Sequence, residues 1–345
     1  MLHWRIEPIT LELKYTWKIS RNATDEKTNL IVTVDDGTYS GKGEAAPNIR
    51  YNETADEGLR LFPGFTKKVT EEIRDVKSIT EIINSSGLFN SLKFAIESAM
   101  FRFEEARLQK TFYDLTGITE PGKIETSYTI PIMDTGKLKI FFDQNNLGRF
   151  PYIKLKVNSE NAQESIKHLM TFCYNPIMVD ANESFMDVEE CIHFLEKIKK
   201  YPLVLVEQPM PSTMKEESIY LKKYSPFKLF ADESMTDQAD FGELKKSFDG
   251  VNMKLMKAGG FMNGIRLLKE AKKNGMQTMI GCMVETTLGI SSAMRLCSLA
   301  DYADLDSFIL IRNEPYSLVR ETNGELKLAN THHGATESTE RHRGQ

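Results

Sequence analysis

At 345 residues the chain exceeds a single-core domain of roughly 100 to 200 residues, so one large and one smaller unit is the natural division. Hydrophobic content of 41%, charged content of 27% and a net charge of −5 fit an ordinary globular protein and exclude a general attraction to nucleic acid or anionic membranes. No apolar run approaches the roughly 18 residues that span a bilayer. Met1-Leu-His-Trp-Arg-Ile-Glu7 lacks the plan of a secretory signal, and Cys173, Cys191, Cys282 and Cys297 lack metal-ligand spacing, so the cytoplasm is the expected location.

In chain order, residues 1 to about 56 alternate in strand fashion, and Asn29-Leu-Ile-Val-Thr-Val-Asp-Asp-Gly37 reads as a strand entering a hairpin. Gly41-Lys-Gly-Glu-Ala-Ala-Pro47 reads as loop-forming. From about Asp56 to Leu115 apolar residues recur at three- and four-residue intervals, clearest over Ser91 to Glu104, which predicts helices. An α+β unit is therefore expected over residues 1–120, ending where Gly and Pro punctuate Thr116 to Gly122.

Eight short apolar runs follow about every 25 residues, the length that one strand, one helix and two short loops require. They are Thr126–Ile132, Tyr152–Lys156, Pro176–Asp180, Leu203–Glu207, Lys228–Asp232, Gly250–Lys254, Gln277–Gly281 and Tyr302–Asp306. Between them Asn161 to Phe172, Asp187 to Lys199 and Gly264 to Asn274 carry helical periodicity. The repeat predicts a (β/α)8 barrel over residues 121–310, with a doubly wound α/β sheet as the second architecture. A C-terminal segment, 311–345, is expected to return to the N-terminal unit; Glu325 to Ala329 can form a strand, and 330–345 reads as a disordered polar tail. The adjacent His332 and His333 are given no metal or catalytic role.

In such a barrel the strand C-terminal ends converge, so groups 25 residues apart become neighbours. Asp180, Glu207 and Asp232 end consecutive strands and would supply three hard oxygen ligands, meeting at one point, for Mg²⁺ or a similar cation; capping of the following helices is the competing reading for each. Asn182, Glu233 and Ser234 stand next to them to orient the ligands. Lys156 and Lys254 end strands two and six, on opposite flanks of the acids. Cations nearby would lower an amine's pKa toward that of a useful base, and Lys154, on the same face as Lys156, would supply one such charge or hold a substrate carboxylate. Two lysines facing one carbon from either side would invert it.

Lys154-Leu-Lys156, Asp180-Ala-Asn182, Glu207-Gln-Pro209, Asp232-Glu-Ser234 and Lys254-Leu-Met-Lys-Ala-Gly-Gly260 together resemble the enolase superfamily, and within it the muconate lactonizing subgroup. Gly43-Glu-Ala-Ala-Pro47 and the early strands resemble that family's N-terminal capping domain. The resemblance implies a barrel with a cap, Mg²⁺ on Asp180, Glu207 and Asp232 holding a substrate carboxylate and stabilising an enolate, and Lys156 and Lys254 as the acid and base pair. Asp304-Leu-Asp306 resembles the Asp-x-Asp feature of the dipeptide epimerases, where the acids engage the substrate's α-ammonium. An isomerase acting on L-Ala-D/L-Glu or a related dipeptide at the α-carbon of its C-terminal residue is therefore expected. An o-succinylbenzoate synthase or muconate-type cycloisomerase of the same subgroup is the alternative, and a catalytically silent barrel a third. Selectivity is expected from Thr16 to Asp25 and Pro47 to Thr54, through Arg21 or Arg50 on an acidic side chain, with Met283 on the pocket wall and Glu285 either there or as packing support. The expected partner is the small dipeptide alone, without nucleic acid or membrane, and with a homo-oligomer left open.

Overall fold

The computed structural model describes residues 2–20, 23–69 and 75–329. Strands β1 (His3–Lys18), β2 (Ala23–Asp35) and β3 (Ser40–Ala45) pair as an antiparallel sheet. Helices α1 (Ala55–Thr66), α2 (Val76–Asn84), α3 (Asn90–Leu108) and α4 (Phe112–Thr116) follow. The segment read as a loop at Gly41 to Pro47 is mostly strand. Its glycines serve contact rather than turning: a Cβ on Gly43 would lie 2.0 Å from the Ala95 carbonyl oxygen of α3, so the sheet and α3 approach backbone to backbone.

The barrel strands are β5 (Ser127–Ile130), β6 (Tyr152–Lys156), β7 (Ile177–Asp180), β8 (Leu203–Glu207), β9 (Leu229–Ala231), β10 (Gly250–Lys254), β11 (Gln277–Gly281) and β12 (Tyr302–Asp304), all parallel and in sequence order. A parallel bridge between Thr126 and Ala303 joins the first strand to the last. The helices between and after them are α5 (Leu138–Gln144), α6 (Ala162–Leu169), α7 (Val188–Ile198), α8 (Lys215–Tyr224), α9 (Phe241–Ser247), α10 (Leu255–Ala258), α11 (Phe261–Lys273) and α12 (Thr287–Met294). The architecture is the expected barrel with an antiparallel cap, and the doubly wound sheet is set aside. Before the barrel, β4 (Ile124–Glu125) pairs with the late hairpin of β13 (Val319–Thr322) and β14 (Glu325–Leu328). Ahead of that hairpin the chain meets β1, where Arg312 N donates to Glu12 O and Leu13 bridges Ile311. The tail from 330, with its two histidines, lies outside the described residues, and no described helix is long and apolar enough to cross a membrane.

Strand periodicity decides what fills the barrel. Met178, Leu205, Phe230 and Met279 form one buried layer inside it, with Tyr152 and Tyr302 against them. Two residues further along each strand the same inward direction recurs, so Asp180, Glu207, Asp232, Lys154 and Asp304 stack on that layer toward the C-terminal ends. The intervening Val179, Val206 and Ala231 belong instead to the main core.

Two buried cap carboxylates fasten the cap to barrel helices. Glu44 of β3 accepts from Thr286 N, Thr286 Oγ1 (2.6 Å) and Gly289 N (2.9 Å) at the start of α12, and from Asn29 Nδ2 (2.8 Å). Glu97 of α3 accepts from Phe261 N, at the start of α11, and from Thr80 Oγ1 (3.0 Å). Both sit where backbone N–H groups of a helix end need an acceptor. Gly260 permits the second approach: it has φ 153°, and a Cβ there would lie 2.3 Å from Glu97 Oε2. Burial pushes the Glu97 carboxyl up to about 7, against the opposing hydrogen bonds from Thr80 and Phe261. The folded state then holds a proton there that the unfolded chain releases near its ordinary 4.5. Stability should fall as pH rises from about 4.5 to 7, and Glu97→Gln should flatten that part of a Tm-against-pH curve. An unchanged curve in the variant would show that Glu97 does not titrate there.

Candidate active site

A cavity of about 500 Å³ lies at the C-terminal end of the barrel beneath the cap. Lys154, Lys156, Asp232, Lys254, Asp304 and Asp306 line it from the barrel, and Trp17, Lys27, Asn48, Arg50 and Tyr51 from the cap. Asp180 and Glu207 are fully buried just beneath. The backbone turns sharply here: Asn182, Glu183 and Gln208 have φ of 41°, 64° and 35°, a costly conformation for residues with a Cβ. Gln208 braces the turn by accepting from Asp232 N and Ser234 N (both 3.0 Å) and donating to Met210 O (2.9 Å) and Ser234 Oγ (3.0 Å).

The acids and lysines alternate. Lys156 Nζ lies 2.6 Å from Asp180 Oδ2 and 3.0 Å from Asn182 Oδ1. Lys154 Nζ is central, 2.8 Å from both Glu207 Oε2 and Asp304 Oδ2 and 3.3 Å from Asp180 Oδ2. Lys254 Nζ donates to Asp232 Oδ2 at 2.8 Å, and Lys257 Nζ to Asp232 Oδ1 at 2.6 Å. Sequence reasoning assigned no role to Lys257, although it lies within the quoted Lys254 to Gly260 motif. Four lysines thus face the four acids Asp180, Glu207, Asp232 and Asp304, as buried charge requires.

One expectation changes. The three acids were expected to meet at one point, yet among the described residues no three His, Cys, Asp or Glu side chains form a ready metal cage. Each acid takes a lysine instead. The same acids act on the lysines. Burial does oppose the Lys254 ammonium, but Asp232 and Glu207 more than offset it and hold its pKa above the ordinary range. Lys154 is likewise held well above it, burial being outweighed by Asp304, Glu207 and Asp180. Burial, opposed by Lys156 and Lys154, leaves the Asp180 carboxyl at about 2; burial with Asp180 and Asp232 nearby, against Lys154, lifts Glu207 to about 8.

The donor set nevertheless suits a hard divalent cation. Three carboxylates from consecutive strands are at most 2% exposed. Glu207 accepts from Asn252 Nδ2 at Oε1 (2.9 Å), whereas its buried Oε2 has no hydrogen-bond donor; Lys154 is near it but off the line of a bond. Glu233 joins the cluster through Asn182 Nδ2 (3.4 Å).

On the far wall Asp304 accepts from Ser127 Oγ (2.7 Å) and Thr129 Oγ1 (3.3 Å), and Asp306 from Thr129 N. Burial and the Asp304 charge push the Asp306 carboxyl up to about 7. On the cap side Arg50 is already engaged: its Nε and Nη2 donate to the two oxygens of Glu183 (3.2 and 3.0 Å), and Nη2 also to Ser212 Oγ (3.3 Å). It ties the cap to the loop after β7, as does Ser20 Oγ through Asn182 O (2.8 Å). Arg21 lies outside the described residues. Met283 lines the cavity, whereas Glu285 turns back to accept from Met283 N (2.8 Å).

Residues 143–332 match the family described as Enolase C-terminal domain-like. An L-Ala-D/L-amino acid epimerase of Pedosphaera parvula is 33% identical over 93% of this chain and 94% of its own. The chain belongs to the enolase superfamily. The L-Ala-D/L-Glu epimerase of Bacteroides thetaiotaomicron is 28% identical, over 93% of this chain and 84% of its own length. Among solved structures, a dipeptide epimerase from Cytophaga hutchinsonii complexed with Mg and D-Ala-L-Val superposes with a TM-score of 0.87 at 22% identity, covering 94% of this chain and 92% of that one. The superfamily resemblance read from the motifs is thereby borne out.

Proposed function

We propose that the protein is a dipeptide epimerase, an isomerase that inverts the α-carbon of the C-terminal residue of an Ala-Xaa dipeptide. One observation carries the reading: a lysine ending β6 and a lysine ending β10, strands two and six of eight and so diametrically placed, enter a cavity whose wall carries Asp304 and Asp306. The names of the relatives at 28–33% identity agree with it.

Lys156 and Lys254 are assigned the proton transfers. The neutral amine of one takes the α-proton from its side, and the ammonium of the other returns a proton to the opposite face, so their protonation states are exchanged by each inversion. Asp304 and Asp306 receive the dipeptide's α-ammonium, because a cation beside Asp306 relieves the repulsion between the two acids. A cycloisomerase substrate with two carboxylates would meet that pair unfavourably. Asp180, Glu207 and Asp232 would hold Mg²⁺, with Asn182 and Glu233 orienting them; when bound it would neutralise these acids and the negative charge that grows on the substrate carboxylate as the α-proton leaves. Lys257 keeps Asp232 in place throughout. The cytoplasm is the proposed location, which the four unpaired cysteines suit.

Incubation with an Ala-Xaa library in deuterated water tests the reading. Deuterium should enter the α-carbon of the second residue with inversion, only with Mg²⁺ present and not after chelation. No exchange with any dipeptide would sink it.

A further inference from the structure

Among the described residues the cavity holds one further cation that neither the motifs nor the proton transfers use. Lys27 lies on β2, opposite Leu11 of β1. Asn29, two residues on and so on the same face, donates to Val284 O of the barrel at 2.9 Å, which turns this face toward the active-site end. Lys27 lines the cavity, whose lining also includes Trp17, Ile19, Ile49, Met283 and Val284.

Its neighbours leave that charge unanswered. Among the described residues Lys27 has no hydrogen bond or ion pair, whereas the cavity's Lys154, Lys156, Lys254 and Arg50 all have acidic partners. Asp25, the nearest acid on its face of the strand, accepts from Thr16 Oγ1 at 2.6 Å, and Glu26 points to the other face. Burial lowers the Lys27 pKa and no carboxylate restores it. A half-buried ammonium without an ion-pair partner in a substrate cavity is unfavourable alone and complementary to a ligand with a short methylene stem and an anionic tip.

We propose that Lys27 selects the substrate by pairing with an acidic side chain on the C-terminal residue of the dipeptide, as in Ala-Glu. This rests on the epimerase reading and gives to Lys27 the recognition that the sequence had offered to Arg21 or Arg50.

L-Ala-L-Glu and its neutral isostere L-Ala-L-Gln provide the test, with kcat/KM measured for wild type, Lys27→Met and Lys27→Arg. Wild type should prefer Ala-Glu, and Lys27→Met should reduce the Glu-to-Gln ratio by about 10- to 100-fold, the range for a charge-assisted hydrogen bond. The loss should fall mainly on KM, because the side-chain carboxylate is bound alike before and during proton transfer. Lys27→Arg should keep most of the preference. A wild type indifferent to the charge, or a ratio unchanged in Lys27→Met, overturns the proposal while turnover shows the epimerase reading intact. No turnover of Ala-Glu, Ala-Gln or any other Ala-Xaa by wild type would instead remove the epimerase reading, and Lys27's role with it.

Discussion

Replacing Lys254 with alanine should lower kcat for epimerisation by about 10²- to 10⁴-fold, the range for removing a positioned acid–base group. The fold should survive, because Asp232 keeps Lys257 at 2.6 Å when Lys254 is gone. The two substrate epimers should then part company. The epimer whose α-proton faces Lys156 can still lose it and regain deuterium on the same face, giving exchange without inversion. The other epimer, whose proton faces the missing amine, should exchange hardly at all. Lys156→Ala should reverse the assignment. Proton NMR in deuterated water reads loss of the α-proton, and chiral chromatography reads inversion. Epimerisation by Lys254→Ala at more than about a tenth of the wild-type rate would remove Lys254 from the proton path.

The second large effect is on stability. Asp232 is 2% exposed and is the acceptor for two buried ammoniums, Lys254 and Lys257. Burial opposes its ionised form, but Lys254, Lys257 and Lys154 together hold its carboxyl well below the ordinary range. Asp232→Ala would leave both lysines without their acid, a loss of about 3–5 kcal/mol for a buried ion pair broken on one side. In a chain of this size each kcal/mol moves Tm by a few degrees at most, so a fall of several degrees is expected in chelator-treated protein. The sign of the pH dependence is fixed too. The stranded lysines should have folded-state pKa values below the unfolded 10.5, so the penalty is full at neutral pH and shrinks as pH rises toward 10.5. The wild-type to variant Tm gap should therefore be smaller at pH 9 than at pH 7. A gap of less than a degree at pH 7 would mean that these ion pairs contribute no net stability.

Some of this was legible residue by residue. The rungs ending at Lys156, Asp180, Glu207 and Lys254 are strand ends in the molecule, and Asp232 and Asp306 fall just past theirs. The periodicity of Ser91 to Glu104 belongs to the longer α3, and α11 begins at Phe261, three residues before the expected Gly264. That earlier start depends on Glu97, a partner 164 residues away that no local pattern displays. Gly41 to Pro47 failed for a related reason: glycine signals a turn locally, but here it permits α3 to sit on β3. Lys257 and Lys27 were overlooked because a lysine in a helix or strand ordinarily reads as solvated surface.

By itself the chain determined the repeat, the inward direction of its acids and lysines, and the cap that precedes them, because strand alternation and strand-to-strand spacing are local properties. Only the tertiary structure decided which charges are answered. It set Lys154 among three acids, joined Arg50 to Glu183 and left Lys27 in the cavity without an ion-pair partner among the described residues. Pairing between buried charges is settled by distance and desolvation across segments far apart in sequence, and no spacing along the chain encodes it.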